Sequence, residues 1–129
     1  MIHPAPSPAT TPFWELAREH RLGLLRCTGC LRWMHPLAAG CPCGADDPEW
    51  VAASGGGTLV SFTVVRRPAH PALADDVPYT ILLVALDEGP QLVSGLAGDG
   101  HALSVGERVR VWFDDVDDEL TLPRFAPGR

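Results

Sequence analysis

CTGCLRWMHPLAAGCPCG, residues 27–44, holds all four cysteines of a 129-residue chain. They stand as C-x-x-C, Cys27 and Cys30, and as C-x-C, Cys41 and Cys43, separated by ten residues. A structural zinc ion asks for four soft, deprotonated ligands at tetrahedral corners, and two close pairs on neighbouring turns supply them. Gly29 inside the first pair lets that turn tighten until its backbone amides reach the thiolates. The second pair is one residue short of C-P-x-C-G, so its turn must widen or distort to put both sulfurs on one metal. Three states fit this spacing: a four-cysteine zinc site, a partial or lost site with cysteines reduced or bridged, and redox chemistry at the C-x-x-C. The last lacks the βαβ pattern that accompanies thioredoxin-like motifs. His35 is a substitute ligand by residue type, although beside Pro36 it reads more simply as a loop residue. Four protein ligands leave a zinc ion no open position. Its role is then structural, folding a segment too small for a core of its own.

Outward from the cysteines, composition limits the function classes. Hydrophobic residues make up 46% and charged residues 20%, as in a soluble globular protein of one domain or two small units sharing a core. The longest apolar run, Ile81 to Leu86, is strand-sized and far short of a membrane span. MIHPAPSPATTP at the N-terminus lacks the basic and apolar regions of a signal peptide and reads as a flexible Pro-rich leader. The expected location is cytoplasmic, where paired cysteines bind metal more often than they form structural disulfides. The net charge of −6 is uneven. Residues 1–67 carry six Arg against five acids, residues 68–129 four Arg against eleven acids. Such a balance does not suit general nucleic-acid binding. With no lysine in the chain, Schiff-base chemistry and a P-loop lysine are excluded.

TPFWELAREHRLG predicts a helix, with Thr11 as N-cap, Pro12 in the first turn and Gly23 as the stop. Phe13, Leu16, Ala17 and Leu24 make an approximate stripe with Trp14 beside it, and Glu15, Arg18 and Glu19 offer i,i+3 and i,i+4 pairs. Phe13 and Trp14 are either internal packing or a partner interface. LGLLRC predicts a short strand leading into the cysteines, and DDPEWVAAS a strand approach to Gly55-Gly56-Gly57. The remainder reads as β: TLVSFTVV; a Pro/Ala/Asp loop over 66–78; YTILLVAL, expected to be buried on both faces; the turn Asp87–Pro90; QLVSGLAG; RVRVWFDD; and ELTLPRF, with Pro123 marking an edge or an end. About five strands after a glycine triplet predict a small closed OB-like barrel whose first strand is bent by glycine or a bulge.

Catalytic patterns are missing: no G-x-S-x-G, no H-E-x-x-H and no glycine-rich loop ahead of a helix. The acidic run Asp114, Asp115, Asp117, Asp118 and Glu119 is expected to be a solvated turn, a cation site being the alternative. His3, His70 and His101 fall in predicted loops.

The order FWELAREHRLGLLRCTGC, HP, CPCG, EW, SGGGTLVSFTVV, a Pro-rich loop, DVPYTILLVALDEGPQLVSGL and VGERVRVWF resembles the DUF35 family over roughly residues 12–125. The departure is the shortened Cys41/Cys43 pair, which bears on metal occupancy and not on the fold. The resemblance implies a mainly β protein: an N-terminal helix, a rubredoxin-like zinc ribbon and a C-terminal five-stranded OB-fold barrel. The expected organisation is a leader at 1–11, a helical segment at 12–25, a zinc ribbon at 26–50 and an OB-fold domain at 51–129.

It also implies a role: a non-catalytic accessory subunit that stabilises a thiolase-superfamily enzyme. That enzyme would be a thiolase, acyltransferase or retro-aldolase acting on acyl-CoA, as in steroid side-chain or lipid degradation. The expected partner assembly is a two-plus-two heterotetramer, with an enoyl-CoA hydratase-like protein as a further partner and neither nucleic acid nor membrane. The cofactor expected for the chain is structural zinc, and a CoA thioester is the ligand expected for the complex. CoA is polyanionic, so the candidate contacts are Arg66 and Arg67, then Arg26 and Arg32 with Trp33; Phe13 and Trp14 are the interface candidates. Trp33 and Trp50 flank the ribbon and either pack it on the barrel or line a groove. The rival readings are a zinc-ribbon/OB module for single-stranded nucleic acid, with Phe62, Tyr79, Trp112 and Phe113 as stacking residues, and a stand-alone enzyme acting on acyl-CoA.

Overall fold

The structure is a computed structural model that describes residues 7–45, 47–75, 77–98 and 102–128. His3, His101 and residues 1–6 of the expected leader lie outside the described residues. One helix, α1 (Thr11–Arg18), precedes a three-stranded sheet of β1 (Gly23–Arg26), β2 (Trp33–Met34) and β3 (Glu49–Ala52), in the order β2-β1-β3. A closed barrel follows, of β4 (Gly56–Val65), β5 (Tyr79–Leu86), β6 (Gln91–Leu96), β7 (Arg108–Asp115) and β8 (Thr121–Pro127), in the order β4-β5-β6-β8-β7. Neighbours are antiparallel except β6 and β8, which pair in parallel. Among the described residues no helix is long and apolar enough to cross a membrane.

The helix begins one residue earlier than its sequence suggests. Thr10 is the N-cap, and the Ser7 carbonyl accepts from the amides of Thr10 and Thr11 and from Thr11 Oγ1. It ends at Arg18, not Gly23. His20 takes a left-handed backbone, φ 59°, which turns the chain out of the helix and frees Gly23 to start β1. Gly23 serves packing there: a Cβ would stand 2.6 Å from Leu16 Cδ1 and 3.3 Å from the Trp50 ring. The expected i,i+3 and i,i+4 pairing along α1 is replaced by one tertiary contact and one local pair just past the helix. The Arg18 guanidinium donates to the Asp118 carbonyl, and Arg21 sits 3.7 Å from Glu19.

β1 joins two cores through the two-residue period of a strand. Leu24 points into the barrel, where it is fully buried with Leu22, Leu59, Leu82, Val84, Val109 and Phe125. Leu25 and Cys27 point the other way and pack with Met34, Trp50 and Cys41. Burying such a side chain stabilises by about 1.5–3 kcal/mol, so Leu22 and Leu24 anchor the small sheet to the barrel.

β4 carries the predicted bend. Gly56 and Gly57 are its first residues, and a bulge lies between Leu59 and Ser61. β5 is less enclosed than its apolar run suggests. Leu82, Val84 and Leu86 fill the barrel, while Ile81, Leu83 and Ala85 on the outer face are half-buried. Pro123 lies inside β8, which continues to Pro127. It is tolerated because β6 pairs with β8 from Arg124 onward, and Ser94 Oγ bonds the Pro123 carbonyl instead.

The acidic run does more than face solvent. Asp114 holds Arg124 at 3.0 Å, and Asp115 accepts from His20 Nε2 and Thr121 Oγ1. Asp117 Oδ1 accepts from the amides of Glu119 and Leu120, closing the turn. His20 also stacks on Phe113, centroids 5.2 Å apart, so the end of α1 is clamped to the last hairpin.

Candidate functional site

The chain folds its two cysteine pairs into one cluster. All four sulfurs lie within 4.8 Å of one another, with Cys27 Sγ 3.4 Å from Cys43 Sγ and Cys30 Sγ 3.5 Å from Cys41 Sγ. Four thiolates on zinc at about 2.3 Å stand about 3.8 Å apart, so the cluster matches a tetrahedral metal in donor type, number and spacing. The cysteines are free thiols, with Cys27 buried and Cys30 and Cys43 exposed.

Each pair is a tight turn followed by a left-handed residue. In the first, the Gly29 and Cys30 amides point at Cys27 Sγ at 3.3 and 3.5 Å, Leu31 N–H returns to the Cys27 carbonyl, and Leu31 has φ 64°. In the second, Gly44 N–H returns to the Cys41 carbonyl and Gly44 has φ 92°. The missing residue is thus absorbed within the turn, and both sulfurs still face the cluster.

The electrostatics prepare the sulfurs unequally. The Cys30 amide draws the Cys27 thiol down to about 6 against the opposing effect of burial, with Cys43 and the Gly29 amide helping. At Cys41 the Cys43 amide pulls down, but burial and the sulfurs of Cys43, Cys30 and Cys27 outweigh it and push the thiol up to about 12. Four sulfurs this close cannot all be anionic without a cation between them. His35 stays outside the cluster, and its Nδ1 accepts from the Leu37 amide.

The arginine candidates are not brought together. Arg26 lies on the small sheet, where its Nε donates to the Leu31 carbonyl and its guanidinium sits 5.0 Å over the Trp33 ring. Arg32 is exposed in the same turn. Arg66 and Arg67 follow the far end of the ten-residue strand β4 and are exposed. Trp33 packs against the barrel core and Trp50 against the cysteine-side core. Phe13 and Trp14 contact each other edge to face at 5.0 Å and line a cavity between α1, the loop after β2, β6 and β8. Arg124 and Leu92–Gly95, on the same cavity, had no signal in the sequence, because nothing local marks which faces of β6 and β8 a distant helix will shelter.

Comparison with known proteins places this arrangement. The family described as "ChsH2, C-terminal OB-fold domain" matches residues 50–114. The solved "Ltp2-ChsH2(DUF35) aldolase" superposes with a TM-score of 0.84 at 37% identity, covering 97% of this chain and 98% of that one. A DUF35 protein of unknown function from Sulfolobus solfataricus shares the fold, with a TM-score of 0.64 at 16% identity over 95% of this chain and 87% of that one. Among curated proteins, the "Probable enoyl-CoA hydratase alpha subunit" of Thermomonospora curvata is 40% identical over 119 residues, 90% of this chain and 37% of that protein. The "3-oxo-4,17-pregnadiene-20-carboxyl-CoA hydratase alpha subunit" of Mycobacterium tuberculosis is 34% identical over 121 residues, 92% of this chain and 38% of that protein. The chain therefore spans little more than a third of these two relatives. Its helix, cysteine cluster and five-stranded OB barrel, with these matches, make it a member of the DUF35 family of the ChsH2 type.

Proposed function

We propose that this chain is a non-catalytic accessory subunit of a thiolase-superfamily enzyme acting on acyl-CoA, of the retro-aldolase type used in steroid side-chain degradation. The observation that carries the reading is the match along nearly the whole chain to the DUF35 component named in an aldolase assembly. The hydratase-subunit names of the two curated relatives support the acyl-CoA context. In this reading the cysteine cluster holds one zinc ion, which crosslinks the turns around Cys27–Cys30 and Cys41–Cys43 and keeps β1 and β2 in place. The partner supplies the reacting groups. This chain supplies a rigid surface on which Phe13 and Trp14 are the interface candidates. Arg32, Arg66 and Arg67, with Arg26 and Trp33, are the candidates for contact with the CoA phosphates, and the assembly is two copies of each chain.

Co-expression with a thiolase-fold enzyme from the same genome, capture through a tag on this chain and metal analysis of the eluate test it. The expected result is a stable complex, about one zinc per copy of this chain, and loss of the enzyme's solubility or turnover when this chain is left out. Recovery of both proteins as separate species, with the enzyme fully active alone, overturns it.

A further inference from the structure

The cavity between α1, the loop after β2, β6 and β8 has a volume of about 360 Å³, within the range of small-molecule sites. Its walls are apolar: Phe13, Trp14, Pro36, Leu37, Leu92 and Val93. Leu37 is 68% exposed and Val93 71% exposed, an expense of apolar surface that the fold itself does not require.

Apart from Trp14 with its indole N–H, four polar residues line this cavity: Thr10, His35, Ser94 and Arg124. The hydroxyls of Thr10 and Ser94 are already engaged, Thr10 Oγ1 with the hydroxyl and carbonyl of Ser7 and Ser94 Oγ donating to the Pro123 carbonyl. His35 Nδ1 accepts from the Leu37 amide at 3.0 Å, which puts the proton of the neutral ring on Nε2. Arg124 is held by its Nε on Asp114 at 3.0 Å, and among the described residues its guanidinium makes no other hydrogen bond. The guanidinium lies across Gly95, where a Cβ would come within 2.8 Å of Nη1; the glycine makes room for it. Besides the Trp14 indole N–H, the uncommitted polar groups among the lining residues are thus a guanidinium edge and an imidazole N–H, all of them donors.

We propose that this cavity binds an amphiphile with a single carboxylate, its hydrocarbon body against Trp14, Leu37 and Val93 and its head on Arg124 and His35. A carboxylate takes the two donors in charge-assisted bonds. An ester, thioester or alcohol offers them no charge, so the free acid is preferred over its neutral derivatives. The site is lined by this chain alone; it shares Phe13 and Trp14 with the interface proposed above, so it is tested on the chain free of its partner, and it does not rest on the accessory-subunit reading.

Titration of the full chain with dodecanoate and with dodecanol, followed by calorimetry and tryptophan fluorescence, tests the site. Dodecanoate is expected to bind at least tenfold more tightly than dodecanol. Arg124→Gln is expected to erase that preference while the alcohol binds as before. Leu37→Asp, at an exposed position that folding does not need, is expected to abolish binding of both with the melting temperature unchanged. Equal affinity for acid and alcohol, no binding of dodecanoate, or unchanged binding to Leu37→Asp each overturns the proposal. Failure here with the enzyme complex intact leaves the accessory reading standing, and binding here without a partner complex does the reverse.

Discussion

Asp87 and Arg108 lie side by side above Gly56, joined by two hydrogen bonds of 2.7 Å, Nη1 to Oδ1 and Nη2 to Oδ2. A Cβ on Gly56 would stand 2.9 Å from Asp87 Oδ2 and 3.0 Å from Arg108 Nη2. At Gly57, by contrast, it would meet the Ala85 carbonyl and Val84 Cγ1, both at 2.7 Å. The first obstacle is the far end of two exposed side chains, whereas the second includes backbone in a paired strand. Gly57→Ala is therefore expected to cost about 1–3 kcal/mol, and Gly56→Ala clearly less. Urea denaturation of the two variants decides it, and equal losses would contradict the packing described.

The same pair predicts an acid limb. The Arg108 guanidinium holds the Asp87 carboxyl below its ordinary value, and Thr121 and then His20 do the same for Asp115. A carboxylate with a depressed folded pKa stabilises the fold above its unfolded pKa of about 3.9, and that contribution is lost as pH falls through the folded value. The melting temperature is expected to drop between about pH 5 and pH 2. Asp87→Asn and Asp115→Asn should each be less stable than wild type at pH 7 and converge on it at the acid end. A constant difference across that window would refute the assignment.

With zinc held by the four cysteines as proposed, its removal should act locally first. Chelation is expected to lower the melting temperature and to speed amide hydrogen exchange from Cys27 to Ala45. β5 and β6, whose cores lie in the barrel, should keep their protection longest. Cobalt in place of zinc is expected to show the visible bands of a tetrahedral thiolate site. A metal-free chain with unchanged exchange in the cysteine turns would mean that packing alone holds them.

Leu31 occupies the left-handed position that Gly44 fills in the other turn, and its side chain is 57% exposed. A non-glycine residue there costs roughly 1–2 kcal/mol, offset in part by the extra chain entropy that glycine loses on folding. Leu31→Gly is expected to raise stability by up to about 1 kcal/mol, measured by thermal unfolding of the metal-loaded protein. A loss of stability would mean that the Leu31 side chain holds contacts worth more than the strain.

Much of the architecture is local and therefore readable from the chain. Alternation in RVRVWFDD sets which side of β7 faces the barrel, because a strand has a period of two and one face must leave water. The cysteine spacing offers a four-sulfur cluster among three states, and the fold selects it by bringing the two turns together. Helix ends are less legible. Gly23 reads as a helix stop, but the left-handed His20 turns the chain earlier, and Gly23 starts a strand where the Trp50 ring and Leu16 leave no space for a side chain. Likewise Asp114 and Asp115 look like a solvated run until β8 and His20 arrive beside them.

Residue order and spacing by themselves determined the helix, the barrel strands and the family pattern, and they offered the four-cysteine cluster as one of three states, since a strand's own period and close cysteine pairs are local features. Only the tertiary structure decided that Leu24 and Leu25 serve different cores, and that α1 is clamped to the last hairpin by His20 and Asp115. It also decided that Trp14, Leu37, Val93 and Arg124 share one cavity. These residues lie on four separate elements, and burial of Leu22 and Leu24 in the barrel brings them together; no pattern within any one segment encodes that meeting.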